Sequence, residues 1–195
     1  HADKANVSPE HQYVGFDAYK KVLASGVDVV VLATPPGFRP LHLEAAVEAG
    51  KHIFCEKPAA VDGPGIRRIL AAVKRAKEKN VSIVSGFCWR FHEPKRATFK
   101  KIADGAIGDV SAVYNTYNTG ATYRSWKPEN PQLQSAEWQL RNWPFFNWLS
   151  GDHIVEQAVH SVDMMSWAFG DKLPLNAIGT GGRQVRTAPQ YGHIF

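Results

Sequence analysis

The sequence predicts an α/β chain: half of a doubly wound parallel sheet over residues 1–90, then part of an α+β domain over 91–195. Three observations carry this. Helical and strand patterns alternate through the first ninety residues, the connections between them are short, and beyond residue 90 the alternation stops. At ~150 residues per domain, 195 residues make one domain and part of a second.

Taken in order, Phe16 to Ser25 places Phe16, Tyr19, Val22 and Leu23 at helical spacing before Gly26. Residues 27–33 are a β-branched run, as expected of a strand buried on both faces. Thr34-Pro35-Pro36-Gly37 ends it. Leu41 to Ala49 reads as helix, His52 to Cys55 as a short strand. Asp62 caps a longer helix carrying Ile66, Ile69, Leu70 and Val73, and Val81 to Ser85 is a third strand. Strands joined this way run parallel through right-handed crossovers, and ligands bind beyond their carboxyl ends. The candidate site is therefore Thr34 to Gly37, Glu56 to Ala59 and Gly86 to Phe91.

After residue 90, a helix with Phe99 and Ile102 ends at Gly105 and Gly108. Val110 to Asn118 alternates apolar and polar, which predicts a strand with one face on a core. Residues 120–150 are irregular and aromatic, a helix is expected over 152–169, and Leu175 to Gly179 reads as the opening of another strand.

Composition narrows function. Hydrophobic residues are 44% and charged residues 21%, which excludes disordered and fibrous classes. No apolar run reaches the ~20 residues of a membrane helix, so no membrane partner is expected. Lys plus Arg is 23 against 18 acids. The excess sits on helical stretches with acids nearby, so it reads as solvated helix faces and not as a nucleic-acid groove. Cys55 and Cys88 are expected to be buried thiols in a disulfide-free protein. The chain opens on His1-Ala2-Asp3-Lys4 without Met or a signal peptide and reads as the middle of a longer protein.

Two constellations carry chemistry. Glu56-Lys57-Pro58 follows the second strand, where Pro58 keeps Lys57 out of helical geometry and its ammonium can stabilise charge on a substrate oxygen. On the helix at 152–169, Asp152, His153, Glu156, His160 and Asp163 fall within a 100° arc. Glu156, one turn before His160, can orient an imidazole suited to proton abstraction from an alcohol. A solvent-facing arc, or a metal held by His153, Glu156 and His160, are the alternatives; no metal is expected. Trp126, Trp138, Trp143, Phe145, Phe146 and Trp148 suit a core or subunit interface, or a surface for stacking sugar rings. Gly179-Thr180-Gly181-Gly182-Arg183 is a weak phosphate-loop signal.

Val29 to Pro58, VVVLATPPGFRPLHLEAAVEAGKHIFCEKP, resembles the glucose–fructose oxidoreductase/inositol dehydrogenase family of NAD(P)-dependent dehydrogenases. GAIGD from Gly105 resembles the family's entry into its second domain, and SGDHIVEQAVHSVD from Ser150 its active-site helix. The aromatic segment and GGRQVR resemble a bacterial subgroup, several members of which carry twin-arginine export signals. The resemblance implies an incomplete Rossmann-type domain over 1–90, whose first strand and Gly-x-Gly-x-x-Gly turn are missing. It further implies an incomplete substrate and oligomerisation domain over 91–195 with a mainly antiparallel sheet. The expected cofactor is NAD or NADP, the partner a small sugar or polyol, and the assembly a homo-oligomer of two or four chains. The compartment is cytoplasmic or periplasmic.

By the same resemblance, Thr34, Pro35 and Pro36 lie against the dinucleotide, Glu56 near the nicotinamide ribose, and Lys57 and His160 are catalytic. Glu156 stands where the family has aspartate, and Arg39 where many members have histidine. Thr34, Lys57 and Trp89-Arg90 are expected to line one cleft as cofactor surroundings, with His160 facing them. The implied reaction is hydride transfer from a sugar or polyol carbinol carbon. An NAD-dependent glycosidase and a non-catalytic sugar or dinucleotide sensor are the alternatives.

Overall fold

The computed structural model describes residues 6–120, 126, 132, 135–185 and 187–192. The four opening residues and residues 121–125 and 127–131 of the aromatic segment lie outside that set.

The first half is a three-stranded parallel sheet with helices. Strands β1 (Val29–Leu32), β2 (His52–Cys55) and β3 (Ile83–Ser85) pair in sequence order, Val29 beside His52 and Ile53 beside Ile83. Helix α1 (Ala18–Ala24) precedes β1, α2 (Arg39–Glu48) joins β1 to β2, and α3 (Gly63–Glu78) joins β2 to β3. Asp62 caps α3 as expected, its Oδ1 accepting from the Gly65 N–H at 2.7 Å. Such a cap is worth ~1 kcal/mol.

The core lies where α2 and α3 meet the sheet. Val30, Leu32, Ile53 and Cys55 face Leu43, Ala46 and Val47 of α2 and Ile69, Ala72 and Ala76 of α3. The alanines are 0–2% exposed, small enough to bring the helices close to the strands. On the outside, Arg68 and Arg75 of α3 and Lys79 just after it pair with Glu44 and Glu48 of α2. This basic run is a solvated, paired helix face.

The structure corrects several expectations. Strand β1 is shorter than 27–33 and is buried on one face only, with Val29 and Val31 58% and 67% exposed. The helices cover the face that carries Val30 and Leu32, and among the described residues no strand pairs with the outer side of β1. A groove of about 760 Å³ runs along it, lined by Tyr19, Val22, Val29, Val31, Thr34 and His42 among others. Cys55 is buried, but Cys88 is exposed, in a 3-10 turn over Cys88–Phe91.

Beyond residue 90, α4 (Glu93–Ala103) is the expected helix. Among the described residues no strand follows, so the antiparallel sheet expected of the second domain is not seen. Val110 to Asn118 has no ladder partner and is tied to the 157–161 region instead. Asn115 Nδ2 donates to the Ser161 carbonyl, Ser161 Oγ to the Thr116 carbonyl, and Tyr117 OH to Gln157 Oε1. Leu175 and Ile178 likewise lie open to solvent. A period-two pattern becomes a strand only where a neighbour supplies the ladder.

The aromatic segment forms a second small core. Helices α5 (Ala136–Arg141) and α6 (Asn147–Ser150) enclose Trp138, Phe145, Phe146 and Leu149, with Phe38 and Trp126 packed against them. Buried Asn142 braces it, its Oδ1 accepting from the Trp126 N–H at 2.7 Å and its Nδ2 donating to the Trp138 carbonyl at 3.1 Å. This core sits on the turn after β1. A Cβ at Gly37 would lie 2.3 Å from the Trp148 carbonyl oxygen. Of the two readings of the tryptophans, packing accounts for Trp138, which is 3% exposed.

The helix expected over 152–169 is two helices, α7 (Asp152–Glu156) and α8 (Val159–Ala168). The N–H groups of Gln157 and Ala158 both turn back to the His153 carbonyl, which interrupts the ladder. The single 100° polar arc therefore does not exist, and Glu156 and His160 belong to different helices.

Candidate functional site at the carboxyl ends of the strands

The turn after β2 delivers Glu56, Lys57 and Pro58 to the sheet's carboxyl edge. The Lys57–Pro58 peptide is cis. The Lys57 N–H donates to Glu56 Oε2 at 3.3 Å, and Gly86, after β3, lies against the Glu56 backbone where a Cβ would be 2.9 Å from its Cα. The Lys57 side chain is 14% exposed and crosses to α7. Its Nζ donates to Glu156 Oε1 at 3.1 Å and to the Glu156 backbone carbonyl. Glu156 thus holds the lysine, where a role on the His160 imidazole was expected.

His160, 9% exposed on α8, joins the same cluster. The Trp89 ring stacks beside it with centroids 4.9 Å apart, Phe87 meets it edge-on at 6.2 Å, and Tyr117 lies 6.5 Å away. Its Nδ1 is buried with no hydrogen-bond partner among the described residues. Burial pushes its pKa below the ordinary 6.5, and the Lys57 charge pushes it further, against the pull of Asp163 and Glu56. A neutral imidazole beside a lysine ammonium is a base and an oxygen ligand in one place. His153, Glu156 and His160 do not assemble a metal site: among the described residues no three His, Cys, Asp or Glu side chains group.

Thr34 and Pro35 line the groove along β1, while Pro36 is buried. The Thr34 hydroxyl meets His42 Nδ1 at 3.2 Å, and the Tyr19 and His42 rings pack at 4.5 Å. Burial holds the His42 pKa low.

Arg90 is tied to two aspartates. Its Nε donates to both Asp163 carboxylate oxygens, and its terminal nitrogens reach Asp163 and Asp171. Its guanidinium also stacks on Trp167 at 4.9 Å. With its donors engaged there, Arg90 fixes the turn that carries Trp89 against α8.

Sequence reasoning missed two contributors. Tyr117 gave no signal, because its segment read only as a strand. Arg39 did, as a charge among the apolar positions of α2. It is 4% exposed and donates from its two terminal nitrogens to the Pro58 carbonyl at 2.5 Å and the Thr34 carbonyl at 2.8 Å.

Comparison with known proteins bears on the fold and the family. Residues 2–87 match the profile of a family described as an oxidoreductase family with an NAD-binding Rossmann fold. The chain is 32% identical over 137 residues to inositol 2-dehydrogenase 1 of Saccharopolyspora erythraea, covering 70% of this chain and 39% of that protein. It is 33% identical over 159 residues to levoglucosan dehydrogenase of Pseudarthrobacter phenanthrenivorans, covering 78% of this chain and 35% of that one. Among solved structures, an oxidoreductase domain protein from Kribbella flavida superposes with a TM-score of 0.65 at 25% identity, over 78% of this chain and 38% of its own. The chain thus spans about two fifths of the length of the curated relatives it matches. No helix among the described residues is long and apolar enough to cross a membrane.

Proposed function

The chain belongs to the glucose–fructose oxidoreductase/inositol dehydrogenase family of oxidoreductases, and from that premise we propose that it serves hydride transfer between a nicotinamide cofactor and a sugar or polyol carbinol carbon. One observation carries the reading: the Lys57 ammonium, held by Glu156, lies close enough to His160 to depress its pKa, at the edge where parallel sheets bind ligands.

The residues present fit the nicotinamide end of a dinucleotide. Thr34 and Pro35 border an open groove, and Lys57 and His160 stand beyond the neighbouring strand. Gly-x-Gly-x-x-Gly, the cradle for a pyrophosphate, does not occur in the sequence. When bound, the nicotinamide supplies the hydride acceptor. Lys57 donates a hydrogen bond to the substrate oxygen and stabilises its developing charge. His160 takes the hydroxyl proton at Nε2, the ring nitrogen opposite buried Nδ1. Glu156 keeps the ammonium in place, and Trp89 excludes water from the imidazole.

The test is nicotinamide reduction by the whole protein, offered NAD or NADP with a panel of cyclic polyols and anhydro-sugars. Reduced nicotinamide that disappears in Lys57→Met and His160→Ala is expected. Turnover surviving both substitutions would overturn the assignment, and glycoside cleavage without net reduction would replace it with the glycosidase reading.

A further inference from the structure

We propose that Arg39 is a positioning residue of this site: its buried guanidinium staples the turn after β1 to the turn after β2 and so sets where Lys57 stands. The inference rests on the reading of Lys57 as the group that meets the substrate oxygen.

Geometry carries it. The two carbonyls that Arg39 holds belong to Thr34, in the turn leaving β1, and to Pro58, the residue after Lys57. Both hydrogen bonds come from one planar fork, so the separation of the two turns is set by a rigid group. No ladder can do this, because β1 and β2 end at Leu32 and Cys55. Beyond those residues the chain is turn and loop, the more mobile part of a sheet edge.

Charge is the second argument. A buried guanidinium is costly, and here its Nε has no partner among the described residues. Burial lowers its pKa, and Cys55, Glu156 and Glu56 act through space in the opposite sense. Glu156 is also the residue that holds the Lys57 ammonium. Arg39 reaches no reacting atom itself, so it acts through Lys57.

The test reads Lys57 directly in the full chain. The folded protein is treated with limiting acetic anhydride, and acetylation of Lys57 is measured by peptide mass spectrometry against exposed Lys74 and Lys101. The Lys57 amine, held by Glu156, should react more slowly than the references. Arg39→Gln should raise its relative rate about fivefold, the scale of one lost hydrogen bond. Glu156→Gln should raise it similarly, and the double variant should exceed either by little, because both act on one contact. A merely structural role would lower the melting temperature and leave the Lys57-to-Lys74 ratio unchanged. That unchanged ratio in a folded variant would overturn the proposal.

If Arg39→Gln fails to fold, Arg39→Lys carries the test. It keeps the charge but cannot span both carbonyls, so a raised ratio supports the staple and an unchanged one refutes it. Acetylation needs no cofactor or substrate. Its failure would leave the dehydrogenase reading standing, and absent turnover in the whole protein would leave the staple standing.

Discussion

Lys57 and Glu156 stand 99 residues apart in the chain and meet in one ion pair, Nζ to Oε1 at 3.1 Å, with both side chains largely buried. The pair joins the turn after β2 to α7. It also gives the Glu156 carboxylate a direct partner in the ammonium.

For catalysis, Lys57→Met should lower kcat and kcat/KM together, since the oxygen it meets gains charge in the transition state. Loss of His160 to Ala should cost ~10²–10⁴-fold, the usual scale for a general base. Glu156→Gln should be milder than either, because the Glu156 backbone carbonyl still accepts from Nζ. Steady-state kinetics of the three variants in the whole protein check this ranking.

The pH dependence follows from His160, whose pKa lies below 6.5 through burial first and the Lys57 charge second. The acid limb of turnover should therefore sit below pH 6.5, and Lys57→Met should move the His160 titration upward. For stability the sign is fixed by linkage. Below pH 6.5 the unfolded chain binds this proton before the folded one does, so stability falls as pH falls through that window. An imidazole NMR titration of wild type and Lys57→Met, with melts at several pH values, tests both statements.

Gly37→Ala should loosen the aromatic core from the sheet. The new methyl would meet the Trp148 carbonyl oxygen at 2.3 Å and the Leu149 Cα at 3.1 Å, both backbone atoms with little room to retreat. Overpacking of this kind costs about 1–3 kcal/mol. A denaturant melt followed by tryptophan fluorescence should show the loss, while Gly105→Ala, with nothing within 4 Å, creates no clash and tests only its backbone φ of +87°.

Arg90→Lys removes the fork that grips Asp163 and Asp171. A lysine cannot match both carboxylates, so a loss of about 1–2 kcal/mol is expected. Arg90 also holds the Asp171 carboxyl below its ordinary 3.8. That stability is present above pH 3.8 and is lost as pH falls through the lower folded value, so the variant should show a weaker acid dependence there. Thermal melts between pH 3 and pH 7 decide it.

How much of this was legible in the sequence differs by region. The β-branched run at 27–33, the Asp62 cap and the helical spacing of Ile69 and Val73 are local signals, and the helices and parallel strands of the first half follow from them. Lys57 stood out because the turn after a parallel strand is a binding position whatever surrounds it. His160 stood out by its chemistry and by resemblance.

The sequence by itself determined which residues could be catalytic and which half of the chain carries the parallel sheet. Only the tertiary structure decided who pairs with whom. Helical spacing put Glu156 one turn before His160, and in the fold the ladder is interrupted at Gln157 and Glu156 meets Lys57. The carboxyl-edge rule put Arg90 at the cleft, and only the fold shows that its guanidinium pairs with two distant aspartates. Alternation predicted a strand at 110–118, but a ladder needs a neighbour, and among the described residues none is present. Periodicity reports only what a segment does along its own axis. Which partner satisfies a buried charge depends on packing between segments, and that information is non-local.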